Sequence, residues 1–239
     1  MAFLKFFAFS LLGVCGLGLG VLAQPAAKPV SPLPPGKGPA IRALLLAADR
    51  PNLELVVIAG KQVSEPLLVG ASGLSARVFP GAKSFSLALK DASAVRGYRS
   101  VAAITLPEAG DDFIVLLEPV AGDSFTPYLV NGRQQAFGAD ATLFFNASQA
   151  AIGAVLDHTK VLIAPRRVEV VAGPPPQGEI PYYQVELYAP DGGTPRMFSS
   201  SRWLHRPNGR NYVFIYQDKG SGRFGYQSVN ETFARPPAP

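Results

Sequence analysis

The chain has 239 residues, of which 48% are apolar and only 16% charged, with a formal net charge of +5. That length supports one large β-domain or two small ones, and the sparse lysine and arginine argue against a nucleic-acid-binding protein, whose cationic footprint is denser. The single cysteine, Cys15, excludes an internal disulfide framework and a thiolate metal site.

At the N-terminus, MAFLKFFAFSLLGVCGLGLGVLAQ sets Lys5 ahead of an apolar run over 6–22, with Ala23 just before Gln24. This is the layout of a secretory signal peptide over 1–23, and it implies an exported protein, periplasmic or secreted. An anchor left uncleaved is the alternative, because the run approaches the roughly 18 residues of a spanning helix; the glycines at 13, 16, 18 and 20 weaken it as a permanent helix. Val14 stands where lipid attachment to Cys15 would need a small residue. Residues 24–39, QPAAKPVSPLPPGKGP, read as a proline-rich linker, and 234–239, ARPPAP, as a disordered tail.

Between these ends, short apolar runs recur between Gly, Pro, Asn and Asp. They are IRALLLAA (41–48), LELVVIAG (53–60), SFSLALKD (84–91), YRSVAAITLP (98–107), DDFIVLLEPV (111–120), ATLFFNAS (141–148), KVLIAPRRVEVVAG (160–173), YYQVELYAP (182–190), NYVFIYQD (211–218) and FGYQSV (224–229). This rhythm predicts an all-β chain folded as an antiparallel β-sandwich, with consecutive strands as neighbours. No segment holds a helical period long enough for a major helix. In YYQVELYAP, Tyr183, Val185, Leu187 and Ala189 share one face, so burial there is one-sided. A seam near 121–124 predicts two sandwich domains in tandem, 40–122 and 123–233, with one large sandwich as the alternative. No internal sequence repeat is evident.

The stretch 137–171, with FGADATLFFNAS, IGAVLD and VLIAPRRVEVV, resembles uncharacterised immunoglobulin-like domains of bacterial exported proteins. The resemblance rests on strand rhythm and on Asn146 after two phenylalanines. It implies immunoglobulin-like sandwiches in the cell envelope and brings no catalytic residue with it.

Catalytic chemistry finds little footing. The only histidines are His158 and His205, and Gly70-Ala71-Ser72-Gly73 falls one residue short of a Gly-x-Ser-x-Gly elbow. Asp157 and His158, adjacent on a strand, point to opposite faces and cannot act as a triad pair. No metal-ligand spacing is present; Asp111, Asp112 and Asp123 offer oxygens to calcium, but their setting is that of turn residues. No cofactor is expected. A glycoside hydrolase needs two carboxyl groups roughly 5–10 Å apart, and sequence singles out no pair. Asn146-Ala147-Ser148 and Asn230-Glu231-Thr232 match the N-glycosylation pattern, which a bacterial protein leaves unused.

The richest segment is 198–216, FSSSRWLHRPNGRNYVFIY, which reads as a hairpin. A three-residue loop, Pro207-Asn208-Gly209, puts proline where its φ is pre-set and glycine at a left-handed bulge, and pairs Arg206 with Arg210. Trp203, Val213 and Ile215 then face inward, while Arg202, Arg206, Arg210, Tyr212 and Tyr216 form an outward binding face able to grip carboxylates or stack on sugars. A two-residue Asn208-Gly209 loop would instead pair Trp203 with Phe214. The same arginines also serve simply to cover a sheet. The expectation is an exported, non-enzymatic protein with a structural or binding role in the bacterial cell envelope. Its expected partner is an acidic glycan or an envelope protein, with membrane contact only through an uncleaved N-terminus. The alternatives are a module binding an acidic glycan or other polyanion through the arginine face, and an envelope polysaccharide hydrolase.

Overall fold

A computed structural model describes residues 31–33, 36–47, 49–120, 122–133, 137–176, 178–179 and 181–233. The expected signal segment, most of the expected linker and the C-terminal tail lie outside the described residues. The first half supplies β1 (Ser31–Pro32), β2 (Ala40–Leu45), β3 (Leu53–Ala59), β4 (Gln62–Val63), β5 (Leu67–Val69), β6 (Ser84–Lys90), β7 (Tyr98–Thr105), β8 (Asp112–Pro119) and β9 (Phe125–Asn131). The second supplies β10 (Ala141–Asn146), β11 (Ile152–Leu156), β12 (Thr159–Ile163), β13 (Val168–Ala172), β14 (Tyr182–Asp191), β15 (Thr194–Leu204), β16 (Gly209–Gln217) and β17 (Phe224–Thr232). Among the described residues there is no helix, and the fold is an all-β sandwich architecture.

Four sheets form: β1-β4-β3-β6-β7 with β5 on β3, then β2-β8-β9, β13-β10-β16-β17 and β12-β11-β14-β15. Three apolar cores stack them in the order outer, inner, inner, outer. Ile41, Ala43 and Leu45 of β2, with Phe113, Val115 and Leu117 of β8, meet the first outer sheet. Leu44, Ile114 and Leu116 turn the other way onto Leu143, Phe145, Tyr212 and Phe214. Phe144, Val213 and Ile215 close the third core with Tyr183, Val185 and Leu187 of the second outer sheet. Strands β2, β8, β10 and β16 are therefore buried on both faces, the environment that selects continuous apolar runs over alternating ones.

Hairpin neighbours are antiparallel as the turns require, but β2 runs parallel to β8 and β10 parallel to β16. Each parallel pair needs a crossover, and here the outer sheet supplies it. The two sheet pairs consequently share one topology. β3, β4, β6 and β7 correspond to β11, β12, β14 and β15, and β2, β8 and β9 correspond to β10, β16 and β17. Even the irregularities coincide: register shifts occur between Leu87 and Ala88 in the first half and between Leu187 and Tyr188 in the second. The chain is a structural duplication that its sequence does not display.

Three expectations are revised. β9, on the far side of a seam at 122/123, pairs with β8 of the first half, so strand pairing divides the chain between β9 and β10. Within the expected linker, Ser31–Pro32 pairs with β4 at the sheet edge, where a proline without N–H is tolerated, and the Leu33 N–H bonds Val63 O at 3.1 Å. The hairpin over 198–216 does not exist. β15 pairs with β14, from Tyr182–Leu204 to Asp191–Thr194, and β16 lies between β10 and β17 in another sheet. The half-exposed β15 suits an outer sheet and the buried β16 an inner one, so residues 205–208 cross between layers instead of turning back.

Candidate functional site

Arg42 lies in the middle of AIRALL, a strand buried along its whole length. Alternation along β2 points it away from the first core, at one end of the central seam between the two inner sheets. A buried guanidinium needs counter-charges, and both sheets provide them. Arg42 Nη2 donates to Asp112 Oδ2 at 3.1 Å, and Arg42 Nη1 donates to Glu231 Oε1 of β17 at 3.0 Å. Arg77 Nη2 reaches the same Asp112 oxygen at 3.0 Å. On the far side, Glu231 Oε2 accepts from Arg210 Nε at 2.9 Å and from the Tyr212 hydroxyl at 2.6 Å. The result is a chain of alternating sign, Arg77, Asp112, Arg42, Glu231, Arg210, running across the seam.

Local geometry makes room for it. Opposite Asp112, a Cβ on Gly132 would sit 3.5 Å from Arg42 Nη2. Gly209, expected in a left-handed turn, instead begins β16 so close to β17 that a Cβ would lie 2.6 Å from Glu231 O. The Arg210 guanidinium stacks over Phe137 at 4.3 Å and is flanked by the Tyr212 and Phe233 rings, each at 5.5 Å. Its Nη1 donates to Phe137 O at 3.1 Å. At the opposite end of the seam Lys219 pairs with Glu118 at 3.5 Å, so an ion pair lies at each end of the interface.

The charges shape one another's titration. Burial alone would lower the Arg42 pKa, but the Asp112 and Glu231 carboxylates together hold it above its ordinary value. Burial likewise pushes Glu231 up, and is outweighed by the Tyr212 hydrogen bond and by Arg42 and Arg210, so its carboxyl stays below the usual range. Tyr212 is pushed up to about 12, by burial first and then by its bond to Glu231. Arg42 Nε and Asp112 Oδ1 are buried without a hydrogen-bond partner among the described residues. Beside them a groove of about 510 Å³ opens between 72–75 and β17, with Ser72, Ser75, Asn230 and Thr232 on its walls and Arg42 and Glu231 also lining it.

The five residues of the expected binding face separate. Arg210 and Tyr212 join the seam. Arg202 is exposed on the second outer sheet, and Arg206 lies on the 205–208 crossing, where Asp140 Oδ1 accepts its N–H at 2.6 Å. Tyr216 is half-buried at the far end of the seam, beside Glu118 and Lys219. Trp203 does pack in the core with Val213 and Ile215, as the three-residue loop requires, but from the facing sheet; its strand partner is Tyr183, not Phe214.

The other candidate groups have structural partners. His205 Nδ1 is 2.8 Å from Asp140 Oδ2, fixing the same crossing. Asp157 stands at a turn with φ 50° and bonds the Gln184 backbone, leaving His158 exposed. The aspartates weighed for calcium go to different arginines: Asp111 to Arg133, Asp112 to Arg42 and Arg77, Asp123 to Arg99. Asn146 is fully buried, its amide donating to Ala150 O and Ile163 O, so folding removes it from glycosylation.

Sequence reading missed Arg42, Arg77, Asp112 and Glu231 as a group. Arg42 carried a signal, a lone cation inside an apolar run, since arginine is almost never fully buried unpaired. Its partners, drawn from β8 and β17, carried none. No protein-family model matches the chain, and a search of curated proteins returns no match.

Proposed function

We propose that this chain is an exported, non-catalytic β-sandwich protein whose two packed sandwiches act as one rigid body, with a structural or binding role in the bacterial cell envelope. The observation that carries this reading is the ionic chain across the seam. Its charged groups answer one another, and they tie β2 and β8 to β16 and β17. A hydrolase acting on glycosides needs a carboxyl group kept protonated. Of the acids lining the grooves at the two ends of the seam, Glu231 is shifted the opposite way by its arginines and Tyr212, and Asp218 by its hydrogen bonds from Ser221. The dispersal of Arg202, Arg206 and Arg210 removes the arginine face on which a polyanion module was expected. The N-terminal sequence supports export.

The test is fractionation of bacteria producing the tagged chain with and without residues 1–23. The full chain should appear outside the cytoplasm, shortened at its N-terminus, and the truncated form should stay inside. A full chain retained in the cytosol at full length would overturn the reading.

A further inference from the structure

The outer face of the second outer sheet gathers several exposed apolar side chains. Four large apolar side chains stand out from it: Leu162 is 69% exposed, Tyr182 52%, Met197 47% and Leu204 39%. The corresponding face of the first outer sheet buries Val56 and Ala88 in a small cluster of its own and exposes Leu68, the register partner of Glu54. Register arranges the exposed groups in rows. Leu162, Gly153, Tyr188 and Met197 are successive neighbours across β12, β11, β14 and β15, a row about 14 Å wide at the usual strand spacing. Lys160, Val155, Glu186 and Ser200 form the next row, followed by Gln184 with Arg202 and then Tyr182 with Leu204.

We propose that this face binds an acidic polysaccharide, laid along β14 between Tyr188 and Tyr182. Those two rings are six residues apart on one strand, about 20 Å, and each presents an apolar surface with a polar tip, the combination that packs on a sugar ring and bonds its hydroxyls. The Tyr188 hydroxyl donates to Glu186 Oε2 at 2.6 Å, which fixes the ring's orientation. Gly153 keeps a trough open between Tyr188 and Leu162: a Cβ there would meet only Tyr188 Cβ, at 3.6 Å. Lys160 and Arg202 lie in the rows between the two tyrosines, and neither has a carboxylate partner among the described residues. Lys160 and Arg202 outnumber the one carboxylate of these rows, Glu186, which the Tyr188 hydroxyl engages; beside sugar-sized apolar surfaces the two cations complement a chain of uronate type, with the Arg202 fork matched to a carboxylate. A membrane surface fits less well. The apolar groups are interrupted by Gln184, Glu186 and Ser200, cations are few, and the tryptophan, Trp203, is turned into the core.

The site is separate from the seam, so it stands or falls without the locking role of Glu231. The test is affinity electrophoresis of the full chain through gels containing polygalacturonate, with dextran gels as the neutral control and phosphatidylglycerol vesicles in a sedimentation assay. Polygalacturonate should retard the protein at low salt and dextran should not. Arg202→Glu and Tyr188→Ala should each weaken retardation at least tenfold. Gly153→Val, which fills the trough, keeps every charge and suits a strand, should weaken it as well. Each variant's thermal midpoint should stay near that of the parent, and Glu231→Gln should bind as the parent does. Absence of retardation, equal retardation of all variants, or sedimentation with vesicles without retention by polygalacturonate would overturn the proposal.

Discussion

Glu231 of β17 joins three side chains from two other strands, Arg42 of β2 with Arg210 and Tyr212 of β16, which makes it the most consequential single residue in the seam. Replacing it with glutamine keeps the shape but leaves Arg210 without a counter-charge among the described residues and Arg42 with Asp112 alone. Loss of one partner from a fully buried pair costs about 3–5 kcal/mol; because Glu231 is partly exposed and Arg42 keeps Asp112, a smaller loss, about 1–2 kcal/mol, is expected in urea unfolding of Glu231→Gln. The same network sets the pH limits of stability. The folded pKa of Glu231 lies below its unfolded value, so its contribution is complete above the unfolded value and is lost as pH falls through the folded one. Tyr212 is the reverse: its pKa rises from 10.0 to about 12, so its contribution is complete below pH 10 and disappears between 10 and 12. Two units correspond to about 2–3 kcal/mol. Thermal midpoints scanned against pH should therefore show an acid limb that Glu231→Gln flattens and an alkaline limb that Tyr212→Phe flattens.

At the level of strands, most of the apolar runs read from sequence are present close to their expected places, because composition and turn chemistry are local. KVLIAPRRVEVVAG divides into β12 and β13 at Arg166, which takes φ 59°. The layer to which each strand belongs was legible too, in a signal left unread. AIRALL, DFIVLLEP, ATLFFN and the core of GRNYVFIYQ are apolar on both faces and form the inner sheets, while YYQVELYAP alternates and lies outside. Applied to 198–216, that distinction forbids a hairpin. Pairing was less legible, since β10 and β16 meet only after the chain has built an outer sheet. A cross-link tests the observed pairing: cysteines replacing Gln184 and Arg202, direct partners with Cβ atoms about 4.5–5.5 Å apart, should form a disulfide within the monomer under mild oxidation. Failure to cross-link in a folded variant would contradict the β14–β15 register.

Across the whole molecule, the duplicated halves meet through the same surface. Arg42, Ile114 and Val130 are neighbours across β2, β8 and β9; Leu143, Tyr212 and Val229 are neighbours across β10, β16 and β17. An interface built from one patch used twice is what a two-fold homodimer has, here joined in one chain and made unequal where Arg42 stands in the place that Leu143 holds in the other half. Residues 31–133 and 137–233 produced separately should each expose that patch and self-associate or precipitate. Co-produced, they should form a one-to-one complex, with size-exclusion chromatography and light scattering as the measurement; two stable, soluble monomers would contradict it. The parallel pairing of β2 with β8 has a further consequence in time. Arg42 and Asp112 are 70 residues apart, so a chain emerging N-terminus first holds the hydrophobic β2 unsatisfied until β8 follows. Such non-local pairing carries a high contact order and slow folding, on the order of milliseconds to seconds or longer, during which an open strand can pair with the wrong chain. Under the export proposed above, translocation would then be the most hazardous interval in the life of this protein, and holding chaperones its most necessary early company.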